Sequence, residues 1–138
     1  MTNINTPADL APTAEFGSLA GLSLVSRIYC GRGIPAARRV DLGSCTGRYV
    51  EVTDKGVESF IREVVAEHFP DGWTVTHASG GWRDTDTGGT ITERTFIIEV
   101  AHGPGDAPRV EAVAREWKRW AQQQAVMVTT TPAPARFV

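Results

Sequence analysis

Along residues 22–30 the apolar positions come in steps of two. Leu22, Leu24, Ile28 and Cys30 share one parity, and Val25, Arg27 and Tyr29 the other. That period belongs to a strand whose two faces meet different surroundings. Gly31-Arg32-Gly33-Ile34-Pro35 ends the pattern. A weakly patterned connection follows to residue 50, after which the period changes. Val57, Phe60, Ile61, Val64 and Val65 recur at three- and four-residue steps, with Glu58, Arg62, Glu63 and Glu67 on the wetter side. This is the stripe of an amphipathic helix. Thr53 or Asp54 is its predicted cap, and Pro70-Asp71-Gly72 its end.

Alternation returns at residues 73–79 and continues through Gly80 and Gly81 to Trp82 and Arg83. Asp84-Thr85-Asp86-Thr87-Gly88-Gly89 is the strongest turn signal in the chain. Residues 91–101 then form the longest predicted strand. Phe96, Ile98 and Val100 lie on one face, and Glu93, Thr95 and Glu99 on the other, with Ile97 an apolar exception there. A second helix starts near Pro108, suited to a first turn. Val110, Val113, Ala114, Trp117 and Ala121 make its buried stripe. Residues 125–129 are the last predicted strand, followed by a stiff Pro132-Ala133-Pro134 tail.

The order β-α-β-β-α-β is that of an α+β, ferredoxin-like sandwich with a four-stranded antiparallel sheet. Right-handed crossovers put both helices on one sheet face. The other face is left to water, the N-terminal arm or a second subunit. Residues 22–138 are read as a single domain. Residues 1–21, rich in Thr, Pro and Ala and without apolar period, are read as a flexible arm.

Composition narrows the function. A chain of 138 residues suits one core. Fourteen Lys and Arg against sixteen Asp and Glu give a net charge of −2, which argues against a general nucleic-acid binder. No apolar run approaches the roughly 18 residues that span a bilayer, so no membrane partner is expected. The first residues lack a basic start followed by an apolar stretch, which predicts a cytoplasmic protein. There Cys30 and Cys45, which form no CxxC unit, are expected as free thiols.

The run Ser26-Arg27-Ile28-Tyr29-Cys30-Gly31 resembles an uncharacterised bacterial family, the domain-of-unknown-function family numbered 3574. The likeness is strongest through His68-Phe69-Pro70-Asp71-Gly72-Trp73-Thr74-Val75 and Ser79-Gly80-Gly81-Trp82-Arg83. It continues through Ile91-Thr92-Glu93-Arg94-Thr95 and Gln124-Ala125-Val126-Met127-Val128. It covers most of residues 25–138. The chain departs from the family at Cys30, where an aromatic residue is common, and in its longer connection carrying Cys45. The resemblance implies no established activity and no catalytic roles.

The polar residues of the predicted sheet are the candidate ligand-binding set: Arg27, Tyr29, His77, Arg83, Glu93 and Arg94. Strands one and three are central neighbours in this topology, and some registers would pair Arg27 with Glu93. A carboxylate can fix a guanidinium fork, and a second arginine can then take a small anionic ligand. The competing reading is a structural ion-pair network. His77 beside Glu93 would be a general base, or else an outward strand residue. His68, His77 and His102 have no compact ligand spacing, so neither a metal nor a cofactor is expected. Two functions stand side by side. The first is a noncatalytic assembly or binding module, a homo-oligomer using the open sheet face. The second is a small cofactor-free enzyme acting on an anionic or carbonyl-bearing metabolite.

Overall fold

A computed structural model describes residues 21–34 and 51–138. The proposed arm before residue 21, the connection before Glu51 and Cys45 lie outside the described residues. Strand β1 is Leu24–Gly31. Helix α1 begins as Asp54–Phe60, and Thr53 caps it: its hydroxyl accepts the Gly56 N–H at 3.1 Å. A hairpin of β2, Thr74–Arg83, and β3, Thr90–His102, follows. Helix α2 is Ala107–Trp120, entered through a short 3₁₀ turn at Pro104–Asp106. Strand β4 is Met127–Pro132. The sheet order is β2-β3-β1-β4, antiparallel throughout, so β1 and β3 occupy the centre as expected. The fold is the α+β, ferredoxin-like sandwich.

Helix α1 does not stay regular. After Phe60 it widens into a π-helical stretch, Ile61–Val65, and closes with a last turn, Ala66–His68. The Ala66 N–H reaches back to the Ile61 carbonyl. Phe60 and Val65, five residues apart, are both fully buried. In a regular α-helix they would lie about 140° apart, and the wide turn brings them onto one face. Ile61, expected in the same stripe, is only half-buried as a result.

One core fills the space between sheet and helices. Ile28 and Cys30 from β1 and Phe96, Ile98 and Val100 from β3 meet Val57, Phe60, Val65, Val113 and Trp117. Trp117 lies edge-on to Phe60 at 4.9 Å and to Phe96 at 4.8 Å. Its indole N–H, which would be costly to bury unpaired, donates to the Gly31 carbonyl at 2.8 Å.

The C-terminal strand departs from expectation. It begins two residues later than predicted and runs through Thr129, Thr130 and Thr131 to Pro132, which pairs opposite Leu24. Proline is tolerated there because β4 is an edge strand. The stiff tail beyond it keeps bonding to the chain before β1. Ala133 N–H donates to Ser23 at 2.9 Å and Ala135 N–H to Leu22 at 3.0 Å.

Truncating Phe60 or Trp117 to alanine is expected to cost about 3–5 kcal/mol in denaturant unfolding, the range for a fully buried large aromatic. A loss below about 1 kcal/mol for either would contradict this core.

Candidate functional site

The six candidate residues divide between two faces of the sheet, because the register sorts them by parity. Arg27, Tyr29 and Glu93 share the open face. His77 and Arg94 share the parity of Phe96, on the helix side. Arg83 pairs with Thr90 at the hairpin tip and is exposed.

On the helix side four charges alternate. Arg32, just past β1, is buried, with its side chain 3% exposed. Its Nε and Nη2 donate to the Val52 carbonyl at 3.0 and 2.7 Å, and Nη2 to Asp54 Oδ1 at 2.9 Å. Arg94 Nε donates to Glu51 Oε1 at 2.9 Å, and its Nη1 lies 3.6 Å from Asp54 Oδ1. Burial alone would raise the Glu51 pKa, but the bonds from Arg94 and the Arg32 charge outweigh it and hold the carboxyl below its ordinary value. The bond and charge of Arg32, then the charge of Arg94, lower Asp54 as well. This ring borders a cleft of about 420 Å³ that His77 also lines. Each guanidinium is already matched by a carboxylate, so the ring's first effect is to tie the α1 entry to the end of β1 and to β3.

On the open face, the central strands pair Arg27 with Glu99, not with Glu93 as one register would have had it. Arg27 Nε donates to Glu99 Oε1 at 2.9 Å. Among the described residues, Glu93 neither orients an arginine nor reaches His77. Its carboxylate lies over Gly31, where a Cβ would come within 2.9 Å of both oxygens, so only glycine fits without a shift. It accepts the Gly33 N–H at 2.8 Å and a bond from the Trp82 side chain. Burial raises its pKa, the nearby Glu51 charge adds to this, and the two donated bonds only partly offset the rise.

Cys30 is fully buried, and burial pushes its thiol far above the ordinary range. Phe96 stands between Cys30 and His77 in the cross-strand row, so these two do not meet. The sequence reading passed over a buried polar chain at the other end of β1. His102 Nδ1 lies 2.8 Å from the Gly103 carbonyl and therefore carries the proton, which leaves Nε2 to accept the Ser26 hydroxyl at 2.6 Å. Thr130 completes the chain at 2.7 Å from Ser26. The only signal for it was that Ser26 and His102 share the core parity of their strands. Among the described residues, no group of three or more His, Cys, Asp or Glu side chains converges as a metal site. None of the described helices is long and apolar enough to cross a membrane.

The family of proteins of unknown function numbered DUF3574 matches residues 27–137. The chain belongs to this family. The match takes in both charge groups, from Arg27 to Glu99, and reaches Phe137 in the tail. No curated protein matches the chain. Among solved structures, a phage SAM lyase in complex with S-methyl-5′-thioadenosine is similar at TM-score 0.60 and 15% identity, over 83% of this chain and 84% of its own. A phage SAM lyase in the apo state is similar at TM-score 0.55 and 17% identity, over 81% and 82%. At these identities the likeness is one of fold.

The Glu93 environment sets a direction with pH. A carboxyl whose folded pKa is raised favours the fold in its protonated form. Its contribution is full below the ordinary value of 4.5 and is lost as pH rises through the folded value. Glu51, with a lowered pKa, acts oppositely: its contribution is present above 4.5 and lost as pH falls through its folded value. In Glu93→Gln the first loss disappears. Unfolding titrations from pH 4 to 7 should therefore show the variant gaining stability on the wild type as pH rises. Parallel profiles would contradict the raised pKa.

Proposed function

We propose that this DUF3574 chain is a noncatalytic self-assembly module whose open sheet face packs on a second copy. One observation supports this above the rest. The register lines up Met127, Tyr29, Ile97 and Thr76 as a single row across all four strands. Three of the four bring apolar bodies to a face on which neither helix packs. Met127 is 58% exposed. An aligned apolar band of this kind is the usual centre of an interface, with polar groups at its rim.

The next row gives the band a self-complementary edge. Arg27 and Glu99 lie side by side, each half-exposed. A copy related by a two-fold axis can present its Glu99 to Arg27 and its Arg27 to Glu99. The alternative, a small enzyme on an anionic or carbonyl-bearing metabolite, draws on the phage SAM lyase, an enzyme on a similar fold. That reading needs arginines open to a ligand. Arg27 and Arg94 already hold Glu99 and Glu51 at 2.9 Å, which favours assembly.

Sedimentation equilibrium tests the proposal. The wild type should show a multiple of the 14.9 kDa chain mass. Ile97→Arg places an unpaired charge in the band and should weaken association at least about tenfold, while circular dichroism stays that of the wild type. A wild-type monomer at every soluble concentration, or an Ile97→Arg protein that assembles as well as the wild type, would overturn it.

A further inference from the structure

A second cleft, of about 630 Å³, opens at the end of β3 away from Glu93. Small-molecule sites commonly occupy about 300–1,000 Å³. Its rim is the turn between α1 and β2, within the segment His68-Phe69-Pro70-Asp71-Gly72-Trp73-Thr74. The ends of β1 and β3 and the start of α2 complete it. Phe69, Trp73 and Phe137 give it aromatic surface. Trp73 is 38% exposed, so its ring is accessible from solvent.

The polar groups of this cleft lean toward acceptors. Asp71, Glu99 and Asp106 bring three carboxylates, and Arg109 is the one cation among the described lining residues. Arg109 lies 3.9 Å from Asp106, and Arg27 holds Glu99 from the sheet face. Two guanidinium charges therefore face three carboxylates, and Asp71 is left in excess. His68 Nδ1 lies 3.0 Å from the Val64 carbonyl and donates to it, which leaves Nε2 as an acceptor. The two ring nitrogens of His102 are already committed to Ser26 and Gly103.

Aromatic faces attract cations, and carboxylates bind ammonium groups through charge-assisted hydrogen bonds. We propose that this cleft binds a small aromatic amine, its ring against Trp73 and its protonated nitrogen toward the Asp71 carboxylate. The described walls come from one chain and Asp71 lies outside the interface rows, so binding does not depend on the assembly proposed above.

Calorimetry on the full chain with phenethylamine tests this, with 2-phenylethanol and 3-phenylpropionate as neutral and anionic counterparts of similar shape. The amine should bind at least about tenfold more tightly than the alcohol, with the carboxylate weakest. Trp73→Ala should weaken the amine at least about tenfold, and Asp71→Asn several-fold, with wild-type circular dichroism in both. Ile97→Arg should bind the amine as the wild type does. The proposal fails if phenethylamine gives no saturable heat at millimolar concentration, or if the alcohol binds equally well. It fails too if folded Trp73→Ala keeps full affinity, or if Ile97→Arg loses it.

Discussion

The contact that the rest of this structure hangs from is the indole of Trp117 against the end of β1. One side chain from α2 reaches through the core, packs edge-on to Phe60 of α1 and Phe96 of β3, and ends in a hydrogen bond to the Gly31 carbonyl. It thereby couples both helices to the two central strands. It also fixes where β1 stops. Immediately beyond that point Arg32 turns into the helix layer and Gly33 gives its N–H to Glu93 on the opposite face. The two charge groups on either side of the sheet are thus hinged on one buried aromatic.

Those charges are largely spent on each other. Arg32 is buried against a mostly exposed Asp54, a pair whose worth is limited by solvent on the carboxylate side. What makes Arg32 costly to lose is its two bonds to the Val52 carbonyl, which would otherwise be left without those donors. Arg27 and Glu99 match each other in the same way on the open face. What remains unsatisfied on that face is apolar: Met127, Tyr29 and Ile97, lined up by the register. The fold therefore leaves its strongest unspent free energy in hydrophobic surface rather than in open charge.

Much of this was legible in the alternation of side chains. The parity of Phe96, Ile98 and Val100, the stripe of Val110, Val113 and Trp117, and the Asp84–Gly89 turn each carried a strong local period, and each formed as read. Parity gives a residue's face but not its partner. The pairing of Arg27 with Glu99 depends on register, which is set by turns and packing far along the chain. Register likewise set the face of His77, whereas the separation of Arg94 from Glu93 was already readable in parity, since Arg94 alternates with Glu93 and falls in step with Phe96. Glu51 and Asp54 reach the Arg94 cluster only because Glu51 bridges to Gly33 beside the end of β1, and no local pattern records that long-range pairing. The π-helical stretch was invisible because the spread of Val57, Phe60, Val64 and Val65 is still compatible with the broad apolar stripe of a regular helix. The end of β4 was missed because Thr130-Thr131-Pro132 reads as tail in isolation and becomes strand only beside β1.

The central claim is that the open sheet face is an interface, and the accessibility of Met127 in solution tests it most directly. Hydroxyl-radical footprinting across a concentration series reads that accessibility side chain by side chain. The account predicts that oxidation of Met127 and Tyr29 slows as concentration rises, while Trp120 on the helix side reacts at a constant rate. Met127 reacting at one rate at every concentration, in step with Trp120, would contradict it.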